Sequence, residues 1–556
     1  MTTPTPTGDV DARLSPETAL PTGLPDIATL QRWSQEFFNA VPSASLPHIA
    51  RPPSSPPLPT SPPLTMPAAP SLPTAPTASF GLETLVAAAT SAMQPRLSAA
   101  DLAHPPIPSV PDHNIPISPA LAELPGIAAP HFYFLGEPAA ARTAPTSARS
   151  AFDVNAVRRD FPILSTRVHG RPLAWFDNAA TTQKPNVVIE RLAYFYRHEN
   201  SNIHRAAHEL AARATDAYEK ARREAQRFIG AASPDEIIYV RGATEAINLV
   251  AQSWGRKHVG AGDEILISHL EHHANIVPWQ MLANERGAKL KVVPVDSSGQ
   301  LRLDELQRLL TDRTKIVSIT HVSNALGTVT PAREIVDLAH RAGALALIDG
   351  AQSVSHMPID VQALAADFFV LSGHKIFGPT GIGILYARLA ILENMPPWQG
   401  GGNMIEDVTF ESTRYQGPPA RFEAGTGNIA DAVGLGAAFE YLNVLGMHSI
   451  EEYEAELLAY ATDRIRTVPG LHIIGTAAHK ASVLSFVIDG YDTTAIGSAL
   501  NQEGIAVRAG HHCAQPILRR FGLEATVRAS LAFYNTCEEV DRLVATLRKL
   551  VASSGR

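Results

Sequence analysis

The chain has 556 residues with 46 Lys and Arg against 54 Asp and Glu, a formal net charge of −8 and a pI near 6.2. That balance offers no basic field to a nucleic acid backbone, and no membrane-length apolar run occurs, so neither nucleic acid nor membrane is an expected partner. Two cysteines, Cys513 and Cys537, cannot make a disulfide framework. The start Met1-Thr2-Thr3-Pro4 lacks the basic and apolar regions of a secretory signal, so the expected setting is a reducing cytoplasm.

Taken in chain order, residues 1–150 hold 29 of the 44 prolines, in runs such as Arg51 to Pro63. A segment of Pro, Ala, Ser and Thr buries too little apolar surface to offset the entropy of ordering it, so a disordered extension is expected. Two stretches interrupt it at helical spacing: Ile27, Leu30, Trp33, Phe37, Phe38 and Val41 after an Asp26 cap, then Leu82, Leu85, Val86, Ala89 and Met93. Aromatic residues gather again between Ile127 and Leu135. These stretches read either as docking motifs that fold on a partner or as transient helices.

From Ala151 the pattern becomes that of an α/β protein. Strands are expected at Glu236 to Val240, Glu264 to Ser268, Lys289 to Val293, Ile316 to Thr320, Leu345 to Asp349, Phe368 to Ser372 and Gly383 to Tyr386. Helical stretches lie between them at Glu245 to Trp254, Ile276 to Glu285, Leu303 to Leu309 and Ile335 to Ala342. The alternation predicts a seven-stranded, mostly parallel sheet with helices on both faces. Beyond Gly400 helices dominate, with short strands at Val483 to Ile488 and Ile505 to Val507. The expected division is a large domain over 151–420, whose first residues pack on the other domain, and a smaller α+β domain over 421–556.

The residues with chemical potential sit just after strand ends, where open α/β sheets bind ligands. Ser372-Gly373-His374-Lys375, followed by Gly378-Pro379-Thr380-Gly381, puts a lysine between a buried strand and a Gly-rich turn, a place for a Schiff base; alone, a surface lysine explains it as well. Leu345-Ala346-Leu347-Ile348-Asp349 ends an apolar strand on a carboxylate, which is costly unless paired. An aspartate there suits a protonated pyridine nitrogen, as pyridoxal phosphate (PLP) requires to act as an electron sink, or else caps the next helix.

Arg241-Gly242-Ala243-Thr244-Glu245 reads as a turn into a helix N-terminus, a phosphate cradle or an ordinary cap. Glu271-His272-His273-Ala274-Asn275 offers an imidazole to stack on a ring. A metal pair there is disfavoured, because adjacent histidines usually point apart, and no metal is expected. Arg508-Ala509-Gly510-His511-His512-Cys513 places a thiol in a polar, Gly-containing loop beside imidazoles that could help form a thiolate. Cys537, at the start of the last helix, reads as structural. Arg528, in an apolar stretch, suits a carboxylate clamp or an internal salt bridge.

With these motifs assembled, the chain from about Phe152 onward resembles the SUF-type (group II) cysteine desulfurases, in the class V aminotransferase family of fold type I PLP-dependent transferases. Asp177-Asn178-Ala179-Ala180-Thr181, His272-His273-Ala274-Asn275-Ile276-Val277-Pro278-Trp279, His321-Val322-Ser323-Asn324, Asp349-Gly350-Ala351-Gln352, Ser372 to Lys375, Arg421 to Thr426 and Arg508 to Cys513 carry the resemblance. It implies that Lys375 holds PLP, with Asp349 at the ring nitrogen and His272 stacked on the ring. Gln352 and Asn324 meet the ring hydroxyl and the substrate region. Thr244, Ser372 and His374 bind the phosphate, with Thr426 arriving from the second subunit of a homodimer.

By the same resemblance Arg528, helped by Asn178, holds the carboxylate of L-cysteine, Arg508 lies beside the active-site loop, and His204 and Arg205 stand near the entrance. Cys513 takes the sulfur as a persulfide and leaves L-alanine. Ala243 departs from the family, which often has a hydroxyl there, and leaves only its amide to the phosphate. A SufE-like acceptor for the sulfur is implied, with iron–sulfur cluster assembly or sulfur storage as its use. The extension resembles the cargo-loading tails of cysteine desulfurases packaged in family 2A encapsulin shells, which implies a nanocompartment as the location. Selenocysteine lyase chemistry would use the same residues. A scaffold protein with a retired enzyme domain is the reading of another class, and it fits poorly with Lys375, Asp349, His272, Arg528 and Cys513 all present.

Overall fold

The computed structural model describes residues 152–204 and 207–554, all within one compact unit spanning 137–556. The extension 1–150, with both amphipathic stretches and the aromatic cluster, and also Arg205, lie outside the described residues.

Seven strands form the main sheet: β1 (Ile237–Val240), β2 (Glu264–Ser268), β3 (Lys289–Val293), β4 (Thr314–Thr320), β5 (Leu345–Asp349), β6 (Phe368–Ser372) and β7 (Gly383–Ala387). Their order is β1-β7-β6-β5-β4-β2-β3, and β7 alone runs against its neighbours. The expected seven-stranded, mostly parallel sheet is therefore present. Strands β2, β5 and β6 are near-continuous apolar runs because helices cover both faces. Edge strand β3, Lys-Leu-Lys-Val-Val, is partly exposed, and its lysines blunt the free edge.

Glu236, expected to open the first strand, instead closes a short 3-10 turn. Its carboxylate accepts from the amides of Ala232 (3.0 Å) and Ser233 (3.3 Å), which satisfies a turn end at the expense of one strand residue.

The helices on the sheet include α1 (Asn186–His198), α2 (Glu209–Phe228), α3 (Ala243–Val250) and α4 (Val277–Arg286). Helix α5 (Ala332–Arg341) turns Ile335, Val336, Leu338 and Ala339 inward. Helix α6 (Ile429–Leu445) is apolar nearly all round because α1 and α2 pack against it. Gly436 permits that approach: a Cβ there would stand 2.7 Å from Cβ of Ala221.

A second, antiparallel sheet has the order β8 (Leu471–Ile474), β9 (Val483–Ile488), β11 (Thr526–Ser530), β10 (Arg508–Gly510). Helices α7 (Met447–Ile465) and α8 (Cys537–Ser554) help to bury its core of Leu484, Phe486, Val527 and Leu543. The segment before α1 stitches the two sheets together. Ala174 and Trp175 pair in parallel with Ile505 and Ala506, and the Ser530 amide donates to Phe176 O at 2.7 Å. Asp177 is thereby carried to the mouth of the main sheet.

Candidate active site

Three parallel strands end side by side on polar residues, Thr320 of β4, Asp349 of β5 and Ser372 of β6, and Thr320 and Asp349 are register partners. The crevice beyond these ends holds Lys375, one 3-10 turn after Ser372. Around it stand His272, Ala243, Thr244, Asn324, Gln352, His374, Arg508, His512 and Arg528. The fold thus gathers residues spread over almost three hundred positions of sequence.

Asp349 is 4% exposed and makes no ion pair among the described residues; its Oδ1 accepts from the Ala351 amide at 3.0 Å. Burial raises its carboxyl, and the Lys375 charge acts the other way. Lys375 makes no hydrogen bond to a described residue, and burial brings its amine down to about 8. Both groups are costly to desolvate, and neither makes an ion pair among the described residues. Beside them, burial and then the Lys375 cation hold His272 down to about 3, so its ring is neutral. His272 Nδ1 accepts from the Ala274 amide at 3.1 Å, which leaves the ring proton on Nε2.

At the N-terminus of α3 the backbone approaches β7 closely. A Cβ on Gly383 would lie 2.5 Å from Gly242 Cα and from Leu371 O. The Ala243 amide, expected to be free for phosphate, is engaged: it donates to Ser372 Oγ at 2.9 Å. Ser372 therefore fixes the turn, while both it and Thr244 line the pocket.

Across the crevice, Arg528 and Arg508 are cross-strand partners on β11 and β10. Arg528 donates to Asp177 Oδ1 (3.0 Å) and to Asn324 O (2.9 Å), so the salt bridge exists and the side chain still lines the pocket. Its Nε and Asn324 Oδ1 are buried without a partner. Burial lowers Arg528 to about 10. Two guanidiniums share one nearby carboxylate, so the wall keeps capacity for a further anion.

Cys513 is half-buried, with Sγ 3.8 Å from Arg508 Nη2. It and His512 adopt left-handed backbone angles, φ +54° each, held by three bonds. The Cys513 carbonyl accepts from the His273 amide (2.8 Å), the Cys513 amide donates to His511 Nδ1 (3.1 Å), and Asn324 Nδ2 donates to His512 O (2.7 Å). His272 and His273 rings are 6.1 Å apart and tilted by 47°. Among the described residues no group of His, Cys, Asp and Glu stands in metal-binding array, and no helix is long and apolar enough to cross a membrane.

Other predicted residues lie elsewhere. Asn178 is 2% exposed, and its amide donates to Ser530 O (2.7 Å) and Asn535 Oδ1 (3.1 Å), so it braces the wall from behind. Thr426 is exposed and lines a separate cavity with Tyr218, Arg241 and Trp398. His204 lies in a third, paired with Glu219 at 3.0 Å. The sequence reading assigned no role to Asp177 or to the next segment. There, the carbonyl of His374 accepts from Thr182 N (3.0 Å), Thr181 Oγ1 (3.0 Å) and Lys184 Nζ (3.1 Å), which clamps the turn carrying Lys375. The only sequence signal was proximity to the Asp177 motif.

The chain belongs to the class V aminotransferase family, whose family model matches residues 174–543. Among curated relatives it is 67% identical over 413 residues to a protein of Synechococcus elongatus named cysteine desulfurase, covering 74% of this chain and 66% of that one. A cysteine desulfurase of Escherichia coli (strain SE11) is 52% identical over 400 residues, covering 72% of this chain and 98% of its own. The chain thus spans slightly less than two thirds of its Synechococcus relative and nearly all of the other. Among solved structures, the cysteine desulfurase CsdA of Escherichia coli superposes with a TM-score of 0.68 at 38% identity, covering 73% of this chain and all of that one. The apo cysteine desulfurase of Thermococcus onnurineus NA1 gives 0.69 at 36%, covering 72% and 98%.

Proposed function

We propose that this protein is a PLP-dependent cysteine desulfurase that converts L-cysteine to L-alanine and leaves the sulfur as a persulfide on Cys513. The observation that carries the reading is one pocket in which an amine without a hydrogen-bond partner, Lys375, faces an unpaired buried carboxylate, Asp349, with Arg508 within reach of Cys513 Sγ. The residues present fit PLP. Asp349 would hold a protonated ring nitrogen, His272 would cover the ring, Gln352 would meet the ring hydroxyl, and Thr244, Ser372 and His374 would hold the phosphate. When bound, PLP withdraws electrons from the substrate's Cα.

The chain's own residues account for the rest. Arg528 and Arg508 take the substrate carboxylate, with Asn324 Oδ1 as an acceptor waiting for an N–H donor. Lys375, once displaced from its covalent link, moves the proton at Cα. Cys513 Sγ attacks the substrate sulfur; the Sγ–S bond forms as the Cβ–S bond breaks, and Cβ keeps the electron pair and takes a proton. One cysteine and one thiol thus become one alanine and one persulfide. Purified protein incubated with L-cysteine should yield alanine and gain the mass of one sulfur atom at Cys513; alanine without added mass there would remove Cys513 from the reaction.

The finer reading is a SUF-type enzyme acting as a homodimer in the cytoplasm, serving iron–sulfur cluster assembly or sulfur storage. It has a large domain over 151–420 and a small one over 421–556, and it passes sulfur to a SufE-like acceptor. Thr426 supports the dimer, since it is exposed and does not line its own chain's Lys375 pocket. Residues 1–150 serve as a tail for loading into an encapsulin shell, supported by their Pro-rich composition and spaced apolar motifs. Deleting 1–150 should leave alanine formation within about two-fold of the full chain and abolish co-purification with a co-expressed shell protein. Parallel assays with L-selenocysteine decide between the two substrates.

A further inference from the structure

Directly behind the pocket wall lies a buried acid that the proposed reaction does not use. Glu271, between the end of β2 and His272, is 0% exposed and has no cationic partner among the described residues. Its Oε1 lies 2.5 Å from Ser268 Oγ, and its Oε2 takes a bond from Asn275 Nδ2 at 2.6 Å. Asn275 is pinned in turn: its Oδ1 accepts from Trp279 Nε1 (2.9 Å) and Ser318 Oγ (2.5 Å). The Thr320 backbone also bonds to Glu271, and Thr320 is the register partner of Asp349. Two carboxyls therefore flank one strand end in a region sealed from water.

Like charges so placed cannot both be carried cheaply. Asp349 has the Lys375 amine in its pocket to balance a charge; Glu271 has only dipoles. We propose that Glu271 is a positioning residue that holds a proton, donated to Ser268 Oγ, so that Asp349 alone carries the negative charge behind the cofactor site. This rests on the PLP-enzyme reading above. Burial, reinforced by the Asp349 charge, lifts the Glu271 carboxyl to about 8. The other ionisable groups beside it are His269, His272 and His273, each held down by burial, and His321 after β4, which burial lowers to about 4; the elements packed here also carry Glu245 on α3, Glu285 and Arg286 on α4 and Lys315 on β4, and the charge that raises Glu271 is that of Asp349. Loss of the proton near pH 8 puts a second negative charge beside Asp349 and changes the field at the cofactor site, which the visible band reports.

The test compares wild type with Glu271→Gln, whose amide can donate to Ser268 Oγ as the acid does. In the holoenzyme the visible cofactor band and alanine formation are followed from pH 6 to 9.5. The wild type should show an inflection close to pH 8 that Glu271→Gln lacks, with rates below pH 7 within about three-fold. In the apo-protein, a carboxyl raised in the fold is destabilising once it must ionise, so stability falls as pH climbs from the unfolded value towards 8 and is level above it. The wild-type melting temperature should accordingly drop relative to Glu271→Gln between pH 6 and 8 and run parallel beyond. An inflection and a melting slope unchanged in Glu271→Gln would overturn the proposal. If that variant does not fold, Ser268→Ala serves instead: loss of the hydrogen bond to Glu271 should displace the inflection from its wild-type position, and an unmoved inflection counts against Glu271. Absence of a cofactor band or of alanine in the wild type would instead sink the enzyme reading itself.

Discussion

Lys375 owes its chemistry to its surroundings. An exposed lysine amine is protonated far above neutrality, whereas burial brings this one to about 8. Only the neutral amine can attack an aldehyde. The rate at which apo-protein takes up PLP should therefore rise about tenfold per pH unit up to about 8 and then level off; rapid-mixing measurement of the visible band checks this. Lys375→Ala should lose that band. Cys513→Ser should keep it and lose at least about a hundredfold in alanine formation, with normal turnover counting against the thiol's role. Both residues were legible in the sequence because each stood in a dense local motif. Glu271 and Asp177 stood in motifs as well, but their roles depend on what lies across the fold: a carboxyl behind Asp349, and a guanidinium 351 positions away.

At the scale of elements, the sheet was readable because its strands are buried on both faces and leave long apolar runs in the text. The ends were less so. Glu236 went to a turn because its carboxylate found two free amides, which hydropathy does not report. The Ala243 amide was taken by Ser372 Oγ, a residue 129 positions later. The turn between β1 and α3 also depends on how little space separates it from β7. Gly383→Ala would drive a Cβ into backbone atoms at 2.5 Å. It should destabilise the protein by about 2 kcal/mol and weaken PLP retention, read as a lower urea midpoint and a faster loss of colour on dialysis.

For the whole molecule, the site depends on the main sheet and the second sheet staying together. Lys375 and Asp349 come from one, Arg508, Arg528 and Cys513 from the other. A buried clasp joins them: His356 Nδ1, just after β5, meets Glu454 Oε2 of α7 at 2.6 Å, and Ser482 Oγ donates to the same oxygen at 2.8 Å. Glu454 Oε1 already lacks a partner. His356→Ala would strand that carboxylate, and a loss of about 3 kcal/mol is expected, seen as a lower melting temperature; an unchanged melting temperature would show that the clasp carries no stability.

Local pattern settled the α/β class and the order of strands and helices, and it singled out Lys375, Asp349, His272 and Cys513 as candidates, since hydrophobic period and turn chemistry act over a few residues. Tertiary structure alone decided which of the remaining residues meet. It set Arg528 on Asp177 while keeping it in the pocket, made Asn178 a brace, placed Thr426 and His204 in cavities of their own, and put Glu271 behind Asp349. Charge, desolvation and hydrogen-bond competition act between atoms that are neighbours in space, and neighbours in space are fixed only when the sheets close on each other.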